Sequence, residues 1–371
     1  MPQKQEPWFT ALFILIVFLL MGGLFGGLWL LIRDPLANLD QTNLDETLDT
    51  IADSAPSNPS RDTQGDTSEG ERWSLANVSS FTEIDGPPAG LFNYGGSTTW
   101  APLREQEAPA LQEAWPDFQL RYTPPVAELP GSGTGIKMLL DGQLAFSQSS
   151  RPLNPEEYEE AKRRGFSLEQ IPVAIDGIAI VVNPDLDIQG LTIDQLKGIY
   201  TGTITNWSEL NGPDVPITPY SRSPEVGGTP EFFIEHVLGD EELGNAVEWV
   251  GHTTEGLLQV ATNLGGIYYA SSPEVVPQCS TKPIPIAFSS DKPFVAPYLT
   301  PLVPPEACPD QRNRLNIEAI RNGDYPLTRR LFVIVKKDGM LDQQAGEAYA
   351  RLILTDQGQQ LVQEAGFVNI R

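Results

Sequence analysis

Residues 171–182 form a run of mostly apolar side chains in which Asp176 is the single charge. Without the in–out alternation of a half-solvated strand, such a run reads as a strand buried on both faces. A strand of that kind needs a layer over each face of its sheet, and the rest of the chain supplies one. Residues 118–122, 144–150, 265–270 and 330–336 read as further strands. Helices are expected between them: leading through Glu107 to Trp115, at 136–140, from Asn154 and Pro155 with Glu157 in capping-box position, and from Thr192 to Tyr200. Others run from the cap Thr229 to the stop at Gly239, and in two pieces across 342–365 broken near Thr355. The alternation predicts an α/β fold with sheets covered on both faces, and the Pro-rich stretch 271–309 reads as an elaborated loop. At 371 residues and 40% hydrophobic content, the chain can hold two globular units with separate cores.

The N-terminal part follows other rules. Residues 8–32 are 25 positions without a charge, enough to span a hydrocarbon core of about 30 Å. We read residues 1–33 as a transmembrane anchor. A cleaved signal peptide is the alternative, although the apolar run is long for one and no small-residue cleavage site follows Ile32. Gly22 and Gly26, overlapping with Gly23 and Gly27, have the GxxxG spacing that lets two such helices approach, so a weak homodimer is an open option. Residues 34–90 carry many Asp, Ser, Thr, Asn and Pro and too little apolar surface to offset their ordering entropy, which predicts an acidic, disordered tether. Order is expected from about Phe92 onward.

Three turns share one design. Gly96-Ser97-Thr98-Thr99, Gly131-Ser132-Gly133-Thr134-Gly135 and Gly227-Gly228-Thr229 each place glycine and hydroxyl residues just before a helix. Backbone N–H groups at a helix start have no intrahelical partner and carry the positive end of the helix dipole, so each turn can face an anion. Arg222 can add a planar fork of donors to the same anion. The formal charge of -25 argues against nucleic acid as the partner, and any bound anion must be held by local donors.

Catalytic patterns are poor. The stretch 131–137 lacks P-loop spacing, Ile136 replaces the last glycine of a dinucleotide motif, and no GxSxG elbow occurs. His236 and His252, the only histidines, have no metal-ligand spacing. Cys279 and Cys308 make no metal pattern by themselves, and outside the cytoplasm a disulfide between them is expected. We expect neither an enzyme nor a cofactor.

Taken together, the turn at 96–102, Gly131-Ser132-Gly133-Thr134-Gly135-Ile136-Lys137, Ser149-Ser150-Arg151-Pro152-Leu153, Thr205-Asn206-Trp207, Arg222 with Gly228-Thr229, and Tyr325-Pro326-Leu327-Thr328 resemble the PstS-type phosphate-binding proteins of bacterial ABC transporters. The resemblance runs from about Phe92 to Arg371 in the family's motif order. It implies two α/β lobes joined by hinge strands, with lobe one at 91–173 and 326–371 and lobe two at 174–325. It implies ligand contacts from Thr98, Thr99, Ser132, Ser150, Arg222, Gly228 and Thr229, to which the turn argument adds Ser97, Gly133 and Gly227. It further implies phosphate as ligand, an ABC permease as partner, and a body on the periplasmic or extracellular side. An anchored sensor or scaffold, or a receptor for another oxyanion such as sulfate, stands beside that reading. Many relatives have Asp where this chain has Ser150, and Ser where it has Gly227. Phosphate near neutral pH keeps a P–O–H that needs an acceptor. Asp176, near the expected first hinge crossing, is the expected substitute, or else a hinge residue bonded to backbone.

Overall fold

The computed structural model describes residues 78–224 and 228–371, all within one unit, Ser68–Arg371. Nine strands form its main sheet: β1 (Gly90–Gly96), β2 (Phe118–Tyr122), β3 (Phe146–Ser149), β4 (Ser167–Val182), β5 (Thr218–Ser221), β6 (Glu248–Trp249), β7 (Gly266–Ser271), β8 (Lys282–Ile284) and β9 (Thr328–Lys337). Their order is β2-β1-β3-β9-β4-β7-β5-β6, with β8 also paired to β4.

The apolar run that dominates the sequence lies in β4, which is 16 residues long and does two jobs. Its first part, residues 167–177, pairs antiparallel with β9. Its last part, residues 178–182, runs antiparallel to β7, and β8 takes its other edge. One strand therefore leaves one group of strands and enters the other.

Alternation explains why both parts are apolar. Along β9, Leu331, Val333 and Val335 enter a core with Phe92, Trp100, Phe146 and Tyr349, while Phe332 and Ile334 enter a second core with Ile136, Leu139 and Leu144. Along β4, Ile178, Ile180 and Val182 pack with Tyr200, Trp207 and Phe233, while Ala179 and Val181 pack with Tyr220, Val260 and Tyr268. A strand with a core on each face has no side free for polar residues. The result is a mixed α/β fold of two lobes.

Local signals place the helices. Asn154 and Glu157 close a capping box on Pro155–Arg163, Thr192 and Gln195 close another on Ile193–Thr201, and the Thr355 side chain accepts from Gly358 N–H at the start of Asp356–Glu364. Thr355 also ends Leu341–Leu354, which is the expected break.

Three expectations are corrected. Residues 78–84, read as the end of the tether, are packed: Phe81 is 1% exposed, Trp115 Nε1 donates to Phe81 O at 2.8 Å, and Asp356 N donates to Val78 O at 3.1 Å. Phe81 and Ile84 supply the apolar burial that the acidic composition hid. The helix expected to be capped by Thr229 starts at Gly228 as Gly228–Phe233 and continues as the π-helical turn Ile234–Leu238 up to Gly239, so Thr229 lies inside its first turn. The Pro-rich stretch also contributes the helix Ser272–Val275 and strand β8.

Among the described residues no helix is long and apolar enough to cross a membrane. The anchor expected at 1–33, with Gly22 and Gly26, and the tether as far as residue 77 lie outside them. Within the second lobe, Cys279 and Cys308 form a disulfide, with Cα atoms 5.8 Å apart. Neither cysteine should react with alkylating agents in the denatured, non-reduced protein. On the chain-entropy view, closing a loop of this length is worth about 3 to 4 kcal/mol, so Cys308→Ser should lower unfolding stability by that amount in a denaturant titration.

Candidate functional site

The turns singled out in the sequence meet where the two lobes face each other. From the first lobe, Ser97, Ser132 and Ser150 form a hydroxyl cluster: Ser97 Oγ donates to Ser150 Oγ at 3.0 Å, and Ser150 Oγ lies 3.2 Å from Ser132 Oγ. Ser150 N–H also donates to Ser132 Oγ at 3.1 Å, and all three residues are buried. Ser97 caps the short turn Thr98–Trp100, accepting from Thr99 N–H. Ser132 opens the helix Ser132–Leu140, and Ser150 follows β3. Trp100 pins the arrangement by donating from Nε1 to Ser149 O at 3.1 Å.

Gly228, from the second lobe, packs onto this cluster. A Cβ there would fall 2.5 Å from Ser150 Oγ and 2.9 Å from Ser132 Oγ, so only glycine permits the approach. Next to it, Thr229 Oγ1 accepts from Arg329 Nη2 at 2.8 Å, and the same nitrogen donates to Thr99 Oγ1 at 3.1 Å. One guanidinium thus touches a hydroxyl from each lobe.

Arg329 was not foreseen as a site residue. It sits in β9 directly across the ladder from Asp176 in β4. Its Nε and Nη2 donate to Asp176 Oδ2 at 3.0 and 2.9 Å, while Ser271 Oγ donates to Oδ1 at 2.7 Å. Both charged side chains are almost wholly buried. Burial pushes the Asp176 carboxyl above the usual range, opposed by Arg329, Ser271 and the Ser272 N–H. Arg329 Nη1 is buried with no hydrogen-bond partner among the described residues. Asp176, expected to take a ligand proton or else to be a hinge residue bonded to backbone, gives its oxygens to Arg329, to Ser271 and to the Ser272 N–H. Its neighbour Gly177 has no side chain, and the antiparallel register brings the two charges together before any ligand arrives.

Thr99 and Thr229, the two hydroxyls that accept from Arg329, also line a small cavity with Thr98, Arg222, Thr253, Tyr268 and Glu274 among others. Its free volume is about 10 Å³, about the space of one water molecule. Thr98, Thr99, Arg222 and Thr229 were expected there, whereas Thr253, Tyr268 and Glu274 carry no motif in the sequence. Gly133 lies to one side, nearest the Arg151 and Glu231 side chains, and Gly227 is outside the described residues. Arg151 binds Glu157 with both Nη atoms and donates from Nε to Glu231 Oε2 at 2.6 Å, a second ionic link between the lobes. The histidines have structural roles: His252 Nδ1 accepts from Glu255 N–H at a helix start, and the His236 ring stacks on Phe232.

Residues 54–357 match the family model of the PBP superfamily domain. The phosphate-binding protein PstS of Staphylococcus haemolyticus is 28% identical over 276 residues, covering 74% of this chain and 79% of that protein. The PstS of Staphylococcus aureus is 26% identical over 277 residues, covering 74% and 76%. Among solved structures, a phosphate ABC transporter substrate-binding protein with bound phosphate from Clostridium perfringens aligns with a TM-score of 0.60 at 24% identity, covering 76% of this chain and 100% of that one. An ABC-type phosphate transport receptor from Vibrio cholerae aligns at 0.56 and 23% identity, covering 75% and 99%.

Asp176→Asn would leave the Arg329 charge buried without its partner. Loss of one member of a buried pair costs about 3 to 5 kcal/mol, so this variant should unfold at markedly lower denaturant concentration. An unchanged midpoint would mean that the pair contributes nothing to holding β4 against β9.

Proposed function

From a chain that belongs to the PBP superfamily, we propose that the site between the lobes binds a tetrahedral oxyanion, inorganic phosphate, outside the cytoplasm and delivers it to an ABC permease. No reaction is catalysed. The observation that carries the reading is Arg329: a buried guanidinium touching Thr99 and Thr229 on opposite lobes, whose Nη1 has no hydrogen-bond partner among the described residues. A buried donor of this kind calls for an acceptor, and an oxyanion supplies up to four acceptor atoms. Arg222 lines the small cavity next to Thr99 and Thr229, and the serine cluster packs against the neighbouring Gly228.

Ligand contacts then come from Ser97, Thr98, Thr99, Ser132, Ser150, Arg222, Gly228, Thr229 and Arg329, with Gly133 and Gly227 lending backbone N–H groups. The lobes are 91–173 with 326–371, and 174–325. They move about the segment where β4 and β9 cross, which keeps its ladder while the cleft opens and closes. The body is held to the membrane by the helix at 1–33, and the acidic segment after it acts as a spacer.

Calorimetry with the whole chain tests the ligand. Phosphate should bind, and Arg222→Ala should weaken it by about 2 to 5 kcal/mol, because a desolvated anion loses a charge-assisted contact. Unchanged affinity would remove Arg222 from the site. Topology is tested separately: protease added to intact spheroplasts should release the folded body, and complete protection would place it on the inner side.

A further inference from the structure

One carboxyl in the cavity wall has no part in the contacts described so far. Glu274 lies in the short helix Ser272–Val275, separated by one residue from Ser271 and Ser272, which hold Asp176. Thr253 Oγ1 donates to its Oε2 at 3.2 Å. Among the described residues its Oε1 takes no hydrogen bond and neither oxygen makes an ion pair, although the side chain lines the cavity beside Arg222, Thr229 and Tyr268. A carboxylate is costly to bury beside an anion site unless something donates to it.

We propose that Glu274 is the residue by which this site tells a protonated oxyanion from a fully ionised one, its carboxylate accepting the hydroxyl of the bound anion. The inference rests on the oxyanion reading above and names the acceptor which that reading leaves open. Ser150 is already engaged with Ser97 and Ser132, and Asp176 with Arg329. Glu274 alone among these groups has an uncommitted acceptor oxygen on the cavity.

The surrounding charges place its titration within the working range. Burial and the nearby Asp176 push the Glu274 carboxyl up to about 7, against the pull of Thr253, Arg329 and Arg222. Tyr268, itself near Glu255, is driven up to about 12 by burial and stays a neutral hydroxyl. When ionised, Glu274 accepts from phosphate, which keeps one P–O–H as a dianion, and repels sulfate, which has none. When protonated, it donates to an oxygen of either anion. Sulfate binding at higher pH must therefore take up a proton at Glu274, whereas phosphate brings its own.

The test is calorimetric titration of the full chain with sulfate and with phosphate between about pH 5.5 and pH 8.5. Sulfate affinity should fall about tenfold per pH unit above about pH 7. Phosphate affinity should change less than about threefold from pH 7.5 to 8.5, where it too is a dianion. Glu274→Gln, close in shape, should flatten the sulfate profile and weaken phosphate about 10- to 100-fold. A wild-type sulfate affinity indifferent to pH, including none detectable at the acid end, overturns the proposal without the variant. So does a parallel fall of both anions, because simple repulsion treats two dianions alike, and so does an unchanged sulfate profile in Glu274→Gln. Failure to bind either anion at any pH strikes the oxyanion reading itself, and this inference with it.

Discussion

The pairing of Arg329 with Asp176 is the interaction on which the rest of the site depends. Asp176 sits on β4, the strand that passes from one lobe into the other, and the antiparallel register sets Arg329 of β9 opposite it. Neither charge could be buried alone: an isolated ion in a low-dielectric interior costs many kcal/mol, and the pair is tolerable because Ser271 donates to the carboxylate and Thr99 and Thr229 accept from Arg329 Nη2. Those satisfying groups are the cavity's own lining or its supports. The pair therefore fixes the position of a cation without consuming it, since Nη1 has no hydrogen-bond partner among the described residues.

This arrangement also explains how a chain with a formal charge of -25 can hold an anion. Long-range attraction does not favour the ligand, so binding relies on close, oriented donors. Hydroxyls and backbone groups are suited to that work because they carry partial charge without a large desolvation cost. A further layer of buried polar groups lies behind Ser97. Arg104 Nη1 donates to Ser97 O at 3.1 Å and to Gln148 Oε1 at 2.7 Å, and Gln148 donates to Tyr349, which donates to Glu107. Burial pushes the Glu107 carboxyl up to about 8. Such a chain keeps the first turn of the site in one geometry.

Much of the fold was legible in the chain. Residues 171–182 declared a doubly covered strand because no polar position breaks the run, and capping signals at Asn154, Thr192 and Thr355 announced helix starts through purely local hydrogen bonds. The Gly and hydroxyl turns exposed Ser97, Thr99, Ser132, Gly228 and Thr229 as candidates, since glycine beside hydroxyls before a helix is a pattern visible within a few residues; Ser150 came from the resemblance alone. Phe81 and Ile84 escaped because two apolar residues in an acidic segment give no periodic signal; Phe81 is held by partners 34 and 276 positions away.

Asp176 and Arg329 mark the boundary most clearly. Sequence showed a lone acid in an apolar strand and two adjacent arginines, Arg329 and Arg330, with nothing to distinguish them. Only the register of β9 against β4 turned Arg329 inward to 6% exposure and left Arg330 outside, and so converted a supposed ligand contact into the partner of the site's buried cation. Glu274 is similar: its local sequence is a short Pro-containing helix, and its place in the cavity follows from where β7 ends. Local hydrogen bonding and periodicity determine elements, which the chain carries in its own order. Which charges meet is decided by long-range pairing, and that exists only once the two lobes are built.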